Sequence, residues 1–203
     1  MLYMVRHGQT DWNLGNRIQG QYDISLNGTG RIQARELAEK LARFNIEYII
    51  SSDLSRAVET AQIIGNKLKI GIDYDARLRE YDFGRLTGLN RAQIEPSMVQ
   101  MFLTNPVQFG AERLEDAFTR VGNFLKDVDY VKNTLVVTHG GILNFVMCYL
   151  EDKDNIKPTS YLYKCLHTKI HNASVLRMRD SESEITILKN TRFYKFSKSH
   201  PSK

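Results

Sequence analysis

Two histidines of this chain lie in nearly identical four-residue contexts, each after a short apolar run. His7 lies in VRHG, directly after Arg6, and His139 lies in VTHG. An unprotonated imidazole is a nucleophile and a proton acceptor, and a neighbouring guanidinium binds anionic oxygens. If both apolar runs are strands of a parallel sheet, both histidines emerge at its carboxyl edge, where open α/β folds bind ligands. Their matching positions predict one shared site.

Two further polar residues are expected at the same edge of the sheet. Arg56 lies in the first turn of a helix that follows one predicted strand, and Glu80 lies on a loop that follows another. The alternative for each is a surface ion pair: Arg56 with Asp53 or Glu59, and Glu80 with Arg79. Their placement beside the two histidines favours a functional role for both.

The five residues His7, His139, Arg6, Arg56 and Glu80 form a set that fits a tetrahedral dianion. Guanidinium groups bind phosphate oxygens through several donors, and the glycines after the histidines allow main-chain N–H groups to approach an anion. A neutral imidazole attacks phosphorus, and nearby positive charge favours the neutral form. A carboxylic acid protonates the leaving oxygen and, as a carboxylate, activates water. The set therefore predicts phosphoryl transfer through a phosphohistidine.

The elements that must position this set alternate between short apolar strands and amphipathic helices, which predicts a three-layer α/β/α fold with a mostly parallel central sheet. The strand candidates are Leu2–Val5, Tyr48–Ser51, Gly71–Tyr74, Thr134–Thr138, Ser174–Met178 and Ile185–Leu188. Apolar stripes at helical spacing begin at Ala34, Ala57 and Leu114.

We expect a single domain over residues 1–203, with 84–109 as a short cap segment and about 190–203 as a basic tail. The cap interpretation depends on Pro96 and Pro106 and on the lack of a clear strand. The apolar residues there either accommodate an apolar part of a substrate or pack the cap onto the core: Tyr81, Phe83, Met98, Met101, Phe102 and Phe109.

The composition excludes several classes of protein. The net charge of +5 is interpreted as solvated surface lysines, so no nucleic-acid partner is expected. Two cysteines fit a reducing compartment, and Cys165 with His167 and His171 lacks the second cysteine pair of a zinc site, so no metal is expected. The segment Ile142–Leu150 is too short to span a bilayer. We expect a cytoplasmic protein with no membrane contact, whose oligomeric state the sequence does not indicate.

The sequence resembles the histidine phosphatase superfamily, the phosphoglycerate mutase-like family, over nearly the whole chain. The motifs that carry the resemblance are Arg6–Thr10 (RHGQT, where glutamate is commoner at the Gln9 position), Asn13, Arg17, Gln19–Gly20, Ser51–Ala57, Leu78–Glu80, Phe83–Gly84 and Val137–Gly141. The resemblance implies the phosphoglycerate mutase-like fold and an enzyme that needs neither a metal nor another cofactor. One departure is Ala111, where many members have serine.

The resemblance also implies residue roles. His7 is the nucleophile, Glu80 is the proton donor, and the phosphate pocket is formed by Arg6, Arg56 and His139. We expect further contacts with a small phosphorylated substrate from Asn13, Gln19, Gly20, Tyr81, Arg91 and the main chain at Gly140.

Three functions remain open under the resemblance. A phosphatase is favoured because Glu80 and His139 are 139 − 80 = 59 positions apart and the chain has no Arg-Arg dipeptide, whereas bisphosphoglycerate-dependent mutases carry a longer insertion with such a pair. A phosphoglycerate mutase is the alternative, because LTGLNR, ending at Arg91, resembles a mutase stretch that ends in lysine. A non-catalytic phosphate-binding domain is disfavoured because His7 and Glu80 are both present.

Overall fold

A computed structural model describes residues 1–129, 131–151, 170–173, 175–178, 185–189 and 192–196. The strands in these residues form one sheet in the order β3-β2-β4-β1-β5-β6-β7. Their bounds are β1 (Leu2–Arg6), β2 (Tyr48–Ser51), β3 (Ile72–Tyr74), β4 (Thr134–Thr138), β5 (Val175–Met178), β6 (Ile185–Lys189) and β7 (Arg192–Phe196).

Strands β3, β2, β4 and β1 run parallel to one another, and β5, β6 and β7 extend the sheet in antiparallel pairs. The predicted α/β fold with a mostly parallel central sheet is confirmed. One difference lies at the C-terminal end, where β7 forms inside the segment expected to be a basic tail. The reason is local, because Phe193, Tyr194 and Phe196 are strong strand formers between its basic residues.

Helices connect the strands and cover both faces of the sheet. Their bounds are α1 (Asp11–Leu14), α2 (Gly28–Leu41), α3 (Ser55–Leu68), α4 (Pro96–Thr104), α5 (Leu114–Asp127) and α6 (Gly140–Glu151). Asn27 caps α2, because its side-chain Oδ1 accepts a hydrogen bond from the N–H of Gly30. Among the described residues, no helix has both the length and the apolar character needed to cross a membrane.

Strand β1 shows how the three layers are built. Its side chains alternate between the two faces of the sheet, so Leu2 and Met4 pack with residues of α5 and α6. Tyr3 and Val5 point the other way and pack with residues of α2 and α3. All four are buried, which explains why this central strand is a continuous apolar run instead of an alternating one.

Residues 84–109 contain α4 and several short 3₁₀ turns but no strand. Pro96 occupies the first turn of α4, where a missing N–H costs nothing. Phe102 of α4 is fully buried and stacks on Phe83, and the edge of the Tyr81 ring meets it. These aromatic rings pack the segment onto the core, which is one of the two alternatives that the sequence leaves open.

Candidate active site

The register of the two central strands places the two histidines side by side. Arg6, the last residue of β1, is the partner of Thr138, the last residue of β4. His7 follows directly, and its N–H donates to the Thr138 carbonyl at 2.9 Å. The ring centroids of His7 and His139 are 5.2 Å apart. The convergence predicted from the two matching motifs is therefore present at the carboxyl edge of the sheet.

A cavity of about 520 Å³ opens at this edge. Most of the predicted site residues line it: Arg6, His7, Asn13, Gln19, Gly20, Arg56, Glu80, Arg91 and Gly140. Phe83, one of the apolar residues considered for an apolar part of a substrate, also lies in the lining. The lining further contains residues for which the sequence predicts no role: Gln9, Asn16, Arg17, Gln33, Gly141, Asn144, Ile170, His171 and Asn172. His139 and Tyr81 are not part of the lining.

Tyr81 is buried beneath the cavity. Its ring packs against Phe83 and Phe102, and its hydroxyl donates to the carbonyl oxygen of Glu112. The expectation that Tyr81 contacts substrate is therefore not met by its position. The physical reason is the direction of the extended chain, because neighbouring side chains point to opposite sides and Glu80 already faces the cavity.

His7 is buried, and its ring is held in the neutral form. Burial, and then the charges of Arg56 and Arg6, lower the pKa of His7 well below its ordinary 6.5. Its Nδ1 lies 2.7 Å from the carbonyl oxygen of Gly8. A carbonyl oxygen only accepts, so Nδ1 carries the proton and donates. The other ring nitrogen, Nε2, is then left with the lone pair that a nucleophile requires.

Arg56 is fully buried, and three hydrogen bonds fix its guanidinium. Its terminal nitrogens donate to the carbonyls of Tyr22 at 2.8 Å and Gly20 at 2.7 Å, and its Nε donates to Nδ1 of His139 at 3.2 Å. A guanidinium has five N–H groups, so one on each terminal nitrogen is left for a ligand. The surface ion pairs considered as alternatives do not form, because Asp53 pairs with Arg79 and Glu59 pairs with Arg31.

His139 lies behind the cavity lining. Because Arg56 can only donate, the His139 Nδ1 accepts, and the proton is on Nε2, which lies 2.9 Å from the Ser52 hydroxyl. Burial, and then the charges of Arg56, His7 and Arg6, lower the pKa of His139 well below 6.5. In this arrangement His139 orients Arg56, whereas the resemblance implied a phosphate contact.

The charge of the cavity is strongly positive. Four of its lining residues are arginines (Arg6, Arg17, Arg56 and Arg91), and Glu80 is the acidic one. Burial lowers the pKa of Arg6 and of Arg56 to about 10, against the attraction of Glu80. Both therefore stay protonated at neutral pH. With four guanidinium groups and one carboxylate in its lining, the cavity favours an anionic ligand.

Glu80 is held by two main-chain donors, one on its own loop and one at the start of α6. Its Oε1 accepts from the N–H of Tyr81 at 3.0 Å, and its Oε2 accepts from the N–H of Gly141 at 3.0 Å. A Cβ atom on Gly141 would lie 2.3 Å from Oε1. Position 141 therefore requires glycine, because any side chain would displace the carboxylate that the site needs.

Thr10 orients two amide side chains of the site. Its N–H donates to Oδ1 of Asn13 at 3.1 Å, and its hydroxyl lies 3.0 Å from Oε1 of Gln19. Asn172 also donates to Oδ1 of Asn13, at 3.2 Å, and to the carbonyl of His7 at 2.9 Å. Because the amide oxygens accept from these donors, the NH₂ groups of Asn13 and Gln19 are the ends of these side chains that would donate to a ligand.

The glycine after His7 has a different role from the one expected. The N–H of Gly8 donates to the Thr60 hydroxyl at 3.0 Å instead of facing an anion. A Cβ on Gly8 would lie 2.5 Å from the carbonyl oxygen of Gly30 in the first turn of α2. Gly8 thus permits the close approach of two backbones. Gly140, the first residue of α6, lines the cavity and remains the candidate main-chain donor.

Cys165 and His167, two of the three residues weighed and set aside as zinc ligands, lie outside the described residues. His171 is described and lies in the cavity lining. Within the described ranges, no group of three or more histidine, cysteine, aspartate or glutamate side chains is placed to hold a metal ion.

Helices thus cover both faces of a mostly parallel sheet, and a cavity with four arginines opens at the carboxyl edge of that sheet. The model of the histidine phosphatase superfamily (branch 1) matches residues 2–191. The chain belongs to this family, as the sequence predicts. Family membership, with phosphatases among the similar proteins, confirms the prediction of a phosphatase.

Known proteins of three kinds are similar to this chain. Phosphoglycerate mutase-like protein 4 of Arabidopsis thaliana is 38% identical over 154 residues, which are 70% of this chain and 67% of that protein. A mycobacterial glucosyl-3-phosphoglycerate phosphatase in complex with VO₃ superposes with a TM-score of 0.71 at 29% identity, over 98% of each chain. A phosphoserine phosphatase mutant of Entamoeba histolytica in complex with phosphoserine also gives 0.71, at 25% identity over 98% of this chain and 96% of that one.

Proposed function

We propose that this phosphatase hydrolyses a small phosphorylated carboxylic acid, with His7 as the nucleophile and Glu80 as the acid and base. The observation that carries the proposal is the state of His7, which is neutral, tautomerically fixed by Gly8 and placed beside Arg6 and Arg56. An imidazole in this state attacks phosphorus without first losing a proton. The two cysteines fit a reducing compartment, so we assign the activity to the cytoplasm.

Two steps complete the reaction. In the first, the Nε2 lone pair of His7 forms a bond to phosphorus, the ester P–O bond breaks, and Glu80 gives its proton to the leaving oxygen. In the second, Glu80 as a carboxylate takes a proton from water, and the water oxygen attacks phosphorus. The P–N bond then breaks, phosphate is released, and His7 and Glu80 return to their starting states. Arg6 and Arg56 stabilise the charge on the equatorial oxygens in both steps.

The substrate is proposed to carry a second anionic group. Two arginines of the cavity, Arg17 and Arg91, belong to chain segments that pair with each other, because the N–H of Arg91 donates to the Asn16 carbonyl at 2.9 Å. Phosphoserine and glucosyl-3-phosphoglycerate, the compounds in the names of two similar structures, both carry a carboxylate near the phosphate. Arg91 supplies a planar donor pair for such a carboxylate.

A substrate panel tests this proposal. The panel contains phosphoserine, glucosyl-3-phosphoglycerate, 3-phosphoglycerate and, as a matched ester without a carboxylate, glycerol phosphate. We expect kcat/KM to be higher for the carboxylates, and Arg91→Met to remove that preference, by about 10-fold or more, the scale of a charge-assisted contact. Arg85→Met is the control, because Arg85 lies in the same segment but not in the cavity lining. Equal rates on all esters would contradict the carboxylate assignment.

The panel also separates hydrolysis from the mutase alternative. A mutase would convert 3-phosphoglycerate to its isomer only when bisphosphoglycerate is supplied, and would release little phosphate. We expect phosphate release with no such requirement. We also expect a chelator to leave activity unchanged, because arginine side chains supply the positive charge that a metal would otherwise provide. Loss of activity on chelation would overturn this part of the mechanism.

Glu80→Gln tests the acid role. A poor leaving group, such as an alkoxide, must be protonated as the ester bond breaks, whereas a good one need not be. The variant should therefore slow hydrolysis of an alkyl phosphate by about 100-fold or more, the usual scale of general acid catalysis. Formation of the phosphoenzyme from an aryl phosphate should be affected much less. Equal losses on both ester types would remove Glu80 from the acid role and leave Asp82 as the candidate.

A further inference from the structure

The loop that carries Glu80 has little regular structure of its own. It begins with the 3₁₀ turn Ala76–Leu78 after β3, and residues 79–83 form neither helix nor strand. A general acid works only within hydrogen-bond reach of the leaving oxygen, so its backbone must be fixed. The two hydrogen bonds that the Glu80 carboxylate accepts fix only the end of the side chain. The backbone of the loop requires other contacts.

The guanidinium of Arg120, on α5, supplies those contacts. Its Nη1 donates to the carbonyl of Arg77 at 2.6 Å and to that of Arg79 at 2.8 Å, and its Nη2 donates to the carbonyl of Glu80 at 3.2 Å. The remaining two donors bind Glu112, with Nε to Oε1 at 2.6 Å and Nη2 to Oε2 at 2.9 Å. All five N–H groups of this arginine are therefore used, three of them on the loop.

Glu112 completes the arrangement from the other side of the loop. Its N–H donates to the carbonyl of Asp82 at 3.0 Å, and its own carbonyl accepts from the Tyr81 hydroxyl. The Arg120 and Glu112 side chains are 17% and 14% exposed, which makes this the most shielded ion pair in the described part of the chain. Such a shielded, bidentate pair is held in one geometry, whereas an exposed pair is not.

We propose that Arg120, paired with Glu112, is a positioning residue for catalysis, which holds the Glu80 backbone so that its carboxyl reaches the leaving oxygen. This inference rests on the acid role of Glu80 in the proposed function. Arg120 is not part of the cavity lining, so it acts through Glu80 and not on the phosphate. Lysine cannot replace it, because an ammonium has three donors on one atom and cannot span three carbonyls and a carboxylate.

The test compares Arg120→Lys and Glu112→Gln with Arg113→Lys. Arg113 is a matched control because it also lies at α5 and pairs with a glutamate, Glu115, but at 3.8 Å and with both side chains 65% exposed. We expect Arg120→Lys to slow hydrolysis of an alkyl phosphate by about 10-fold, a part of the factor that a general acid contributes. Phosphoenzyme formation from an aryl phosphate should change by less than about 2-fold, because it needs little acid. Glu112→Gln should show the same pattern, and Arg113→Lys should match the wild type.

A double substitution distinguishes positioning from a purely structural role. In the Glu80→Gln background no acid remains to be positioned, so adding Arg120→Lys should have no further effect on either ester. Thermal unfolding shows whether each variant is folded. If Arg120→Lys does not fold, Glu112→Gln, which preserves the size of the side chain, replaces it in the test. Equal slowing of both esters, or a further loss in the Glu80→Gln background, would overturn the proposal. If Glu80→Gln itself treats both esters alike, the acid role fails first, and the positioning role fails with it.

Discussion

His7 and His139 follow neighbouring parallel strands in the sequences VRHG and VTHG, but their hydrogen-bond partners are opposite in kind. Nδ1 of His7 faces the carbonyl oxygen of Gly8, which can only accept. Nδ1 of His139 faces the guanidinium of Arg56, which can only donate. Burial keeps both rings neutral, so each partner selects one tautomer.

The tautomer of each ring, more than its position after a strand, distinguishes His7 from His139. His7 keeps its Nε2 lone pair available in the cavity, whereas His139 uses Nδ1 to hold Arg56 and donates its Nε2 proton to Ser52. A matching sequence context thus leaves an imidazole lone pair available after one strand, as the proposed nucleophile requires, and a ring that supports Arg56 after the next.

The largest effect is expected from removing each histidine in turn. His7→Ala should reduce kcat by about 10⁴-fold or more, as loss of a nucleophile does in other covalent enzymes. His139→Ala should cost about 10²-fold, the scale of a misplaced charge-stabilising group, because Arg56 loses one of its anchors. His139→Gln, whose amide oxygen can accept from Arg56, should recover part of that loss. Single-turnover rates measure all three, and equal losses for the two alanine variants would contradict separate roles.

The glycines that follow the histidines should also differ. Gly8→Ala should destabilise the protein by about 1–3 kcal/mol, the usual cost of overpacking, because its Cβ would meet a backbone carbonyl of Gly30 at 2.5 Å. A Cβ on Gly140 would meet only the flexible side chain of Arg6, at 3.4 Å. Gly140→Ala should therefore unfold at nearly the wild-type urea concentration. Equal shifts of the two urea midpoints would show that the two strand ends pack alike.

The amide side chains near His7 give a smaller effect. Thr10→Val keeps the shape of the side chain but loses the hydroxyl that faces Gln19, so the Gln19 amide is free to turn its oxygen toward the phosphate. We expect kcat/KM to fall by about 10-fold, the scale of one hydrogen bond to a charged group. Thr10→Ser should restore most of the activity. In a Gln19→Ala background, Thr10→Val should cost much less, and an undiminished cost there would show that Thr10 acts elsewhere.

The dependence of stability on pH follows from the shared burial of the two rings. Burial and Arg56 hold the pKa of His7 and of His139 well below the 6.5 of an unfolded histidine. As the pH falls below 6.5, the unfolded chain binds protons first, so the folded state loses stability, by up to about 1.4 kcal/mol per pH unit for each histidine. Urea unfolding at several pH values measures this dependence. The free energy of unfolding should change less steeply with pH in His7→Gln and in His139→Gln than in the wild type. An unchanged slope in either variant would indicate that its histidine is not held neutral.

Much of the site could be predicted from local pattern. His7 and His139 follow apolar strands directly, and Arg56 lies in the next helical turn after β2, so a parallel sheet brings them together with no long-range information. Asn144 could have been found in the same way, because it is a polar residue in the apolar α6, one turn after Gly140. The cavity contacts of Arg17 and Asn172 depend on loop conformations that the pattern does not contain.

The supporting contacts could not be predicted, for a physical reason. Arg120 and Glu80 are separated by all of residues 84–109. A guanidinium that binds main-chain carbonyls also has no complementary side chain there that a sequence pattern could reveal. The roles of Tyr81 and Gly8 were misjudged because both depend on what lies opposite them in the fold, Glu112 for one and Gly30 for the other. Residue type indicated chemistry in each case, and packing decided whether that chemistry is used.

The most direct test of the account is the location of the phosphoryl group during turnover. Glu80→Gln should be mixed with an aryl phosphate, quenched at alkaline pH to protect phosphohistidine, and examined by mass spectrometry. We expect one phosphoryl group per chain, on His7, present also when His139→Gln is added and absent when His7→Asn is added. A phosphoryl group on His139, or none on His7 while the ester is still cleaved, would contradict the proposed mechanism.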